Sequence, residues 1–113
     1  MNKILVTGGC GFIGRQVVEE LINSDKKWDI TVVDDLSNPE SSSPKNKPFS
    51  KNVKFKQLDL STIEGAQKAV KGQNFVIHLA AKIGGIGYFH KRPQLMINDN
   101  CKINFKFSLT CLL

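Results

Sequence analysis

Eight residues near the amino terminus, Thr7-Gly8-Gly9-Cys10-Gly11-Phe12-Ile13-Gly14, carry the clearest chemical signal in the sequence. Gly8, Gly11 and Gly14 fall three apart, after an apolar run and before a helical pattern. A backbone that must pass close to a phosphate needs such spacing. A side chain at Gly8 would block a tight turn. One at Gly11 would hold the backbone away from a diphosphate, and one at Gly14 would push the helix off its strand. The helix start would offer free N–H groups and partial positive charge to the anion. Asp34 lies 20 residues after Gly14, at the end of a second apolar run. A carboxylate there accepts hydrogen bonds from adenosine ribose hydroxyls and repels a 2′-phosphate. Together these features predict a nicotinamide dinucleotide, with NAD favoured over NADP. Asp35 competes for the ribose role, as a turn residue or a second acceptor. Arg15 and the nearby lysines keep NADP open.

The elements that must position these residues follow from periodicity. Lys3 to Thr7 reads as a buried strand ended by Gly8-Gly9. From Phe12 the period becomes helical: Phe12, Ile13, Val17, Val18, Leu21 and Ile22 form an apolar side, opposite Arg15, Gln16, Glu19 and Glu20. Ile30 to Val33 is a second strand. Residues 37–52 hold three of the four prolines and most of the serines, which predicts a surface loop, either mobile or shaped by a ligand. Val53 to Leu58 alternates as a strand with one wet face. Ser61 to Glu64 has capping-box spacing, predicting a helix to about Lys71 with Gly72 past its end. Asn74 to Ala81 is a fourth apolar strand, followed by the glycine-rich loop Gly84-Gly85-Ile86-Gly87. Pro93 suits the first turn of a last helix, with Ile97, Cys101, Phe105 and Leu109 as its stripe. Alternating strands and helices predict an α/β fold with a doubly wound parallel sheet in the order 3-2-1-4. Its ligand crevice should lie at the carboxyl ends of strands one and four.

Composition narrows the function classes. The chain has 113 residues, room for one domain, and 41% are hydrophobic and 23% charged, as in an ordinary globular domain. No apolar run approaches the ~20 residues of a membrane span. The start of the chain is too short in apolar residues for a secretory signal. Three scattered cysteines suggest neither a disulfide framework nor a metal site, so a reducing, cytoplasmic setting is expected. The net charge of +6 raises the prospect of anionic partners, with Lys45, Lys47, Lys51, Lys54 and Lys56 in one stretch. No known nucleic-acid-binding motif accompanies these lysines, so nucleic acid and membrane partners are not expected.

The succession TGGCGFIG, VVDDLS, LDLS and HLAA resembles the extended short-chain dehydrogenase/reductase family of nucleotide-sugar epimerases and dehydratases, with its Rossmann fold, over essentially the whole chain. The resemblance implies cofactor-binding roles for Gly8, Gly11, Phe12, Ile13, Gly14, Asp34 and Asp35. It further implies Asp59 and Leu60 beside the adenine, Leu79, Ala80, Ala81 and Lys82 lining the cleft, and Asn100 near the cofactor. Asp59 can alternatively begin a turn, Asn100 can be a surface helix residue, and His78 reads as a packed histidine. Ala80 to Gly87 looks most like the branch acting on GDP-sugars, such as GDP-fucose synthase and GDP-mannose epimerase. Gly84, Gly85 and Ile86 would then approach a nucleotide-sugar substrate.

The family's chemistry needs a tyrosine with a lysine four residues later, the lysine lowering the phenol's pKa. The single tyrosine, Tyr88, has Arg92 at that position. No catalytic residue is therefore assigned. The expectation is the amino-terminal, cofactor-binding part of a longer enzyme, not catalytic by itself. Its fourth strand would form an exposed apolar edge, giving a sticky monomer or a homodimer. The alternative is a non-catalytic dinucleotide-binding regulatory module. A basic nucleic-acid binder is the third and weakest reading.

Overall fold

The structure, a computed structural model, describes residues 2–39, 41–81 and 103. Six elements follow in order: β1 (Asn2–Thr7), α1 (Phe12–Asn23), β2 (Trp28–Asp34), β3 (Lys54–Gln57), α2 (Ile63–Val70) and β4 (Phe75–His78). The strands form one parallel sheet in the order β3-β2-β1-β4, as the alternation of strands and helices predicts. This is a Rossmann-type sheet whose winding reverses between β1 and β4. The expected crevice lies at that reversal.

Alternation along β1 sorts the core into two layers. Ile4 and Val6 point to one face and join Val18 of α1, Ile30 and Val32. Leu5 points to the other and joins Val33, Leu60, Ala66 and Ala69 of α2, and Ile103. Each helix thus covers its own face of the sheet. Ile103, helical and buried, is two residues from both Cys101 and Phe105 of the predicted stripe. The stripe itself falls outside the described residues.

Several boundaries differ from the sequence expectation. β2 begins at Trp28 because its ladder with β1 starts at the Asn2–Trp28 pair. Trp28 also meets Phe75 edge to face, with ring centroids 5.5 Å apart. β4 stops at His78, and Leu79 to Ala81 leave the ladder. Thr7 ends it: its carbonyl accepts the Leu79 N–H at 3.1 Å, and its hydroxyl accepts the Leu79 and Ala80 N–H groups at 3.0 and 3.2 Å. Thr62, not Ser61, caps α2, with its hydroxyl accepting the Gly65 N–H at 3.0 Å. Ser61 is diverted because its N–H and hydroxyl both donate to the Asp59 carboxylate. Phe12 and Ile13, expected on the core side of α1, are instead 77% and 66% exposed. Among the described residues β4 is an edge strand, with Phe75 and Val76 exposed.

The described residues of 37–52 contain no helix or strand, as expected, but they do not hang free. They form a strap folded back on α1. The Ser42 N–H donates to the Cys10 carbonyl at 3.2 Å, and the Arg15 guanidinium donates to the Ser42 carbonyl. Arg15 also stacks 4.7 Å from the Phe49 ring centre. Farther along, the Glu19 carboxylate accepts the Ser50 N–H at 3.0 Å and its hydroxyl at 2.5 Å. The wet side of α1 is therefore the strap's docking surface. No helix among the described residues is long and apolar enough to cross a membrane.

Candidate cofactor-binding cleft

Gly8 has φ +71°, a left-handed conformation that glycine adopts without strain. The turn it makes is fixed on both sides. Its N–H donates to the Val33 carbonyl at 2.8 Å, and a Cβ built on it would lie 2.9 Å from the Ala80 nitrogen. At Gly14 a Cβ would collide with the Gly8 carbonyl oxygen and lie 2.7 Å from the Gly9 Cα. The helix start thus rests directly on the turn. Gly11 behaves differently. A Cβ there would meet nothing closer than the Gly8 oxygen at 3.6 Å, so the protein itself has room for one.

A cleft of about 290 Å³ opens in front of this turn. Gly8, Gly11, Phe12, Ile13 and Gly14 form one wall, Asp34 and Asp35 the second, and Leu79, Ala80 and Ala81 the third. Leu58, Leu60 and Ile103 line its apolar end. Gly11 caps α1 without a side-chain hydrogen bond, and the first turn holds no acidic residue. The helix itself therefore supplies no charge to offset the partial positive charge that its start presents to the cleft.

Asp34 is the structural pivot. It is 9% exposed; one carboxylate oxygen accepts the Cys10 N–H at 3.0 Å and the other the Leu36 N–H at 2.9 Å. The carboxylate thereby locks the glycine turn to the end of β2. An ionised carboxylate has about four acceptor positions, so about two remain for ligand hydroxyls. Asp35 also lines the cleft, and its carboxylate accepts the Ser37 N–H and hydroxyl at 3.0 and 2.8 Å. Cys10 is buried beneath the turn. Burial, and then the neighbouring Asp34 charge, push its thiol up to about 12, so it stays protonated and inert at neutral pH.

Not every expected residue reaches the cleft. Asp59 is exposed beside it, with its carboxylate held by Ser61, while its neighbours Leu58 and Leu60 supply the lining. This is the turn alternative left open by the sequence. His78 lies at the end of β4, with Nδ1 2.6 Å from the Thr7 hydroxyl. Lys82, Gly84, Gly85, Ile86 and Asn100 fall outside the described residues. Ser37, Asn38 and Ser41 line the cleft without having been singled out in the sequence. A loop of serines and prolines gives no periodic signal, and only its place after Asp34-Asp35 could have pointed to them.

The model of the NAD dependent epimerase/dehydratase family matches residues 4–108. The chain belongs to this family. Among relatives, a UDP-glucose 4-epimerase of Pasteurella multocida is 42% identical over 104 residues, covering 86% of this chain and 29% of the relative. A 3 beta-hydroxysteroid dehydrogenase/Delta 5→4-isomerase of Monkeypox virus is 31% identical over 98 residues, covering 87% of this chain and 27% of the relative. The UDP-glucose 4-epimerase of Thermus thermophilus, solved in complex with NAD, superposes with a TM-score of 0.77 at 28% identity. That match covers 96% of this chain and 33% of the epimerase. A family member of 113 residues thus spans about a third or less of these relatives.

Proposed function

We propose that the chain is the NAD-binding portion of an enzyme acting on a nucleotide sugar by epimerisation, dehydration or reduction. The carrying observation is the Asp34 carboxylate, tied to the glycine turn through Cys10 and facing a cleft with an uncapped helix start. The residues fit a dinucleotide. Gly11 leaves space for a diphosphate to approach backbone amides, and Asp34 keeps acceptor positions for ribose hydroxyls. Phe12 and Ile13, apolar and exposed in the cleft wall, would be covered by the ligand. When bound, NAD supplies a hydride acceptor and donor. The chain's own residues bind, orient and shield it.

Preference for NAD over NADP follows from the same wall. A 2′-phosphate would meet the Asp34 charge, and the Arg15 guanidinium is engaged by the strap. The nucleotide-sugar class is supported by the 42% identity to a UDP-glucose 4-epimerase, against 31% for the steroid enzyme. The GDP-sugar likeness rests on Ala80 to Gly87, of which residues 82–87 lie outside the described residues. The 113 residues contain no tyrosine followed four residues later by lysine. They should therefore bind the cofactor without turnover, a property shared by the second reading, a dinucleotide-binding regulatory module.

Titration calorimetry with NAD and NADP tests the reading. NAD should bind more tightly, and Asp34→Ala should weaken it by about 1.5–3 kcal/mol, the range for a hydrogen bond to a charged group. No uptake of either coenzyme by folded protein would reject the proposal. Unchanged affinity in the variant would remove Asp34 from the role. A single stable protein partner retained only with NAD would favour the regulatory module.

A further inference from the structure

We infer that Arg15 and Glu19 are positioning residues for the adenosine end of the cofactor, acting through the strap without touching the ligand. The inference rests on the proposed NAD binding at the cleft. The strap supplies Ser37, Asn38 and Ser41 to the cleft wall, next to Asp34 and Asp35. Its place is fixed from behind. Arg15 and Glu19 stand one helical turn apart on one half-buried flank of α1, and each holds a different part of the strap. The guanidinium takes the Ser42 carbonyl and the Phe49 ring, and the carboxylate takes both donors of Ser50.

Ser42 is the link between clamp and site. Its carbonyl accepts from Arg15 on the helix, and its N–H donates to the carbonyl of Cys10 in the glycine turn. The Cys10 N–H in turn donates to Asp34. Arg15, Ser42, Cys10 and Asp34 are therefore linked residue to residue by hydrogen bonds, from the flank of α1 to the proposed ribose acceptor. Ser41 is fastened to Asn38, its N–H donating to the Asn38 carbonyl at 2.9 Å, so the cleft-lining part moves with Ser42. A strap released from α1 would have to be ordered at the moment of binding. Its entropy would then be charged against affinity.

Three variants separate docking from charge. Arg15→Gln removes both, and Arg15→Lys keeps the charge but loses the planar fork and its stacking. Ser50→Ala weakens the Glu19 clasp from the exposed strap side and leaves α1 untouched. Affinity for NAD and for ADP-ribose, which lacks the nicotinamide, is measured by calorimetry; strap cleavage is followed by limited proteolysis with and without NAD.

Arg15→Gln and Arg15→Lys should each lose about tenfold in affinity for both ligands, and Ser50→Ala about threefold. Strap cleavage should rise in all three and fall again with NAD. Full affinity in Arg15→Lys would overturn the inference in favour of simple charge attraction. Wild-type affinity in Ser50→Ala with a strap cut faster would overturn it by uncoupling strap from site. Failure of the wild-type chain to bind NAD would overturn the proposed function and this inference with it. Binding by the wild type and equal binding by every variant would overturn this inference alone.

Discussion

Two strand-to-helix turns stand at the same edge of the sheet, one after β1 and one after β3, and they are built alike up to a point. In each, a helical glycine packs on the carbonyl of the residue six positions earlier: Gly14 on Gly8, and Gly65 on Asp59. The helix ends are finished differently. α2 is closed by its own side chains, with Thr62 capping, Asp59 holding Ser61 and Glu64 in the first turn. α1 has a glycine cap, no side-chain bond and no acid. One helix start satisfies itself. The other has donors free for an anion, and the withheld cap distinguishes the proposed binding turn from the structural one.

The strongest way to probe this contrast is at the shared packing. Gly14→Ala and Gly65→Ala each drive a methyl group into backbone and should destabilise the fold by about 1–3 kcal/mol or more, read by urea unfolding. Their effects on the coenzyme should diverge. Where protein remains folded, Gly14→Ala should abolish NAD uptake and Gly65→Ala should preserve it. Equal loss in both would dissolve the contrast. Gly11→Ala sharpens it from the other side. Gly11 sits at φ −79°, which alanine tolerates, and its Cβ has room. Stability should fall by only about 0.5–1 kcal/mol, the N-cap preference for glycine over alanine. NAD affinity should nevertheless fall more than tenfold, about 1.4 kcal/mol, as the methyl meets the diphosphate.

Thr62→Ala removes the side-chain cap that α1 lacks. It should lower stability by about 1 kcal/mol and leave coenzyme affinity as it is. The smallest effect concerns pH. Hydrogen bonds from the Ser50 hydroxyl, then from its N–H, hold the Glu19 carboxyl below the usual glutamate range. A lowered folded value means that this stabilisation is complete above the unfolded value and is lost as pH falls through the folded one. Strap cleavage should therefore rise on acidification below the usual glutamate range. In Glu19→Gln that acid dependence should flatten, with faster cleavage already present at neutral pH.

The order of the sheet was legible because period changes mark each element, and the glycine turn because its spacing has few structural alternatives. Asp34 was legible by position, although its part in holding Cys10 and Leu36 was not. The misses share a cause: they depend on what lies across the fold. The apolar run from Asn74 to Ala81 gives no sign that Thr7 will capture two of its amides and end the strand at His78. Ser61, with Glu64 three residues on, fits a capping box and Thr62, with Gly65 there, does not, yet the Asp59 carboxylate claims Ser61 and leaves the cap to Thr62. The polar side of α1 has the composition of a solvated face, yet it carries the strap. Phe12 and Ile13 match the helical period of the core but lie beyond the sheet's edge, in the cleft wall.

Leu36 is the one non-glycine residue at positive φ among the described residues, at +61°. A leucine gains nothing intrinsically from that twist, which costs about 1–2 kcal/mol. Its side chain packs against the α1 layer of the interior. The heading on which the main chain departs β2 is therefore steered from within, by the fit of one aliphatic group beneath a helix. Reshaping that seat would swing Ser37 and its neighbours about this hinge. Ligand preference at the outer rim could then drift through exchanges that never see solvent or coenzyme.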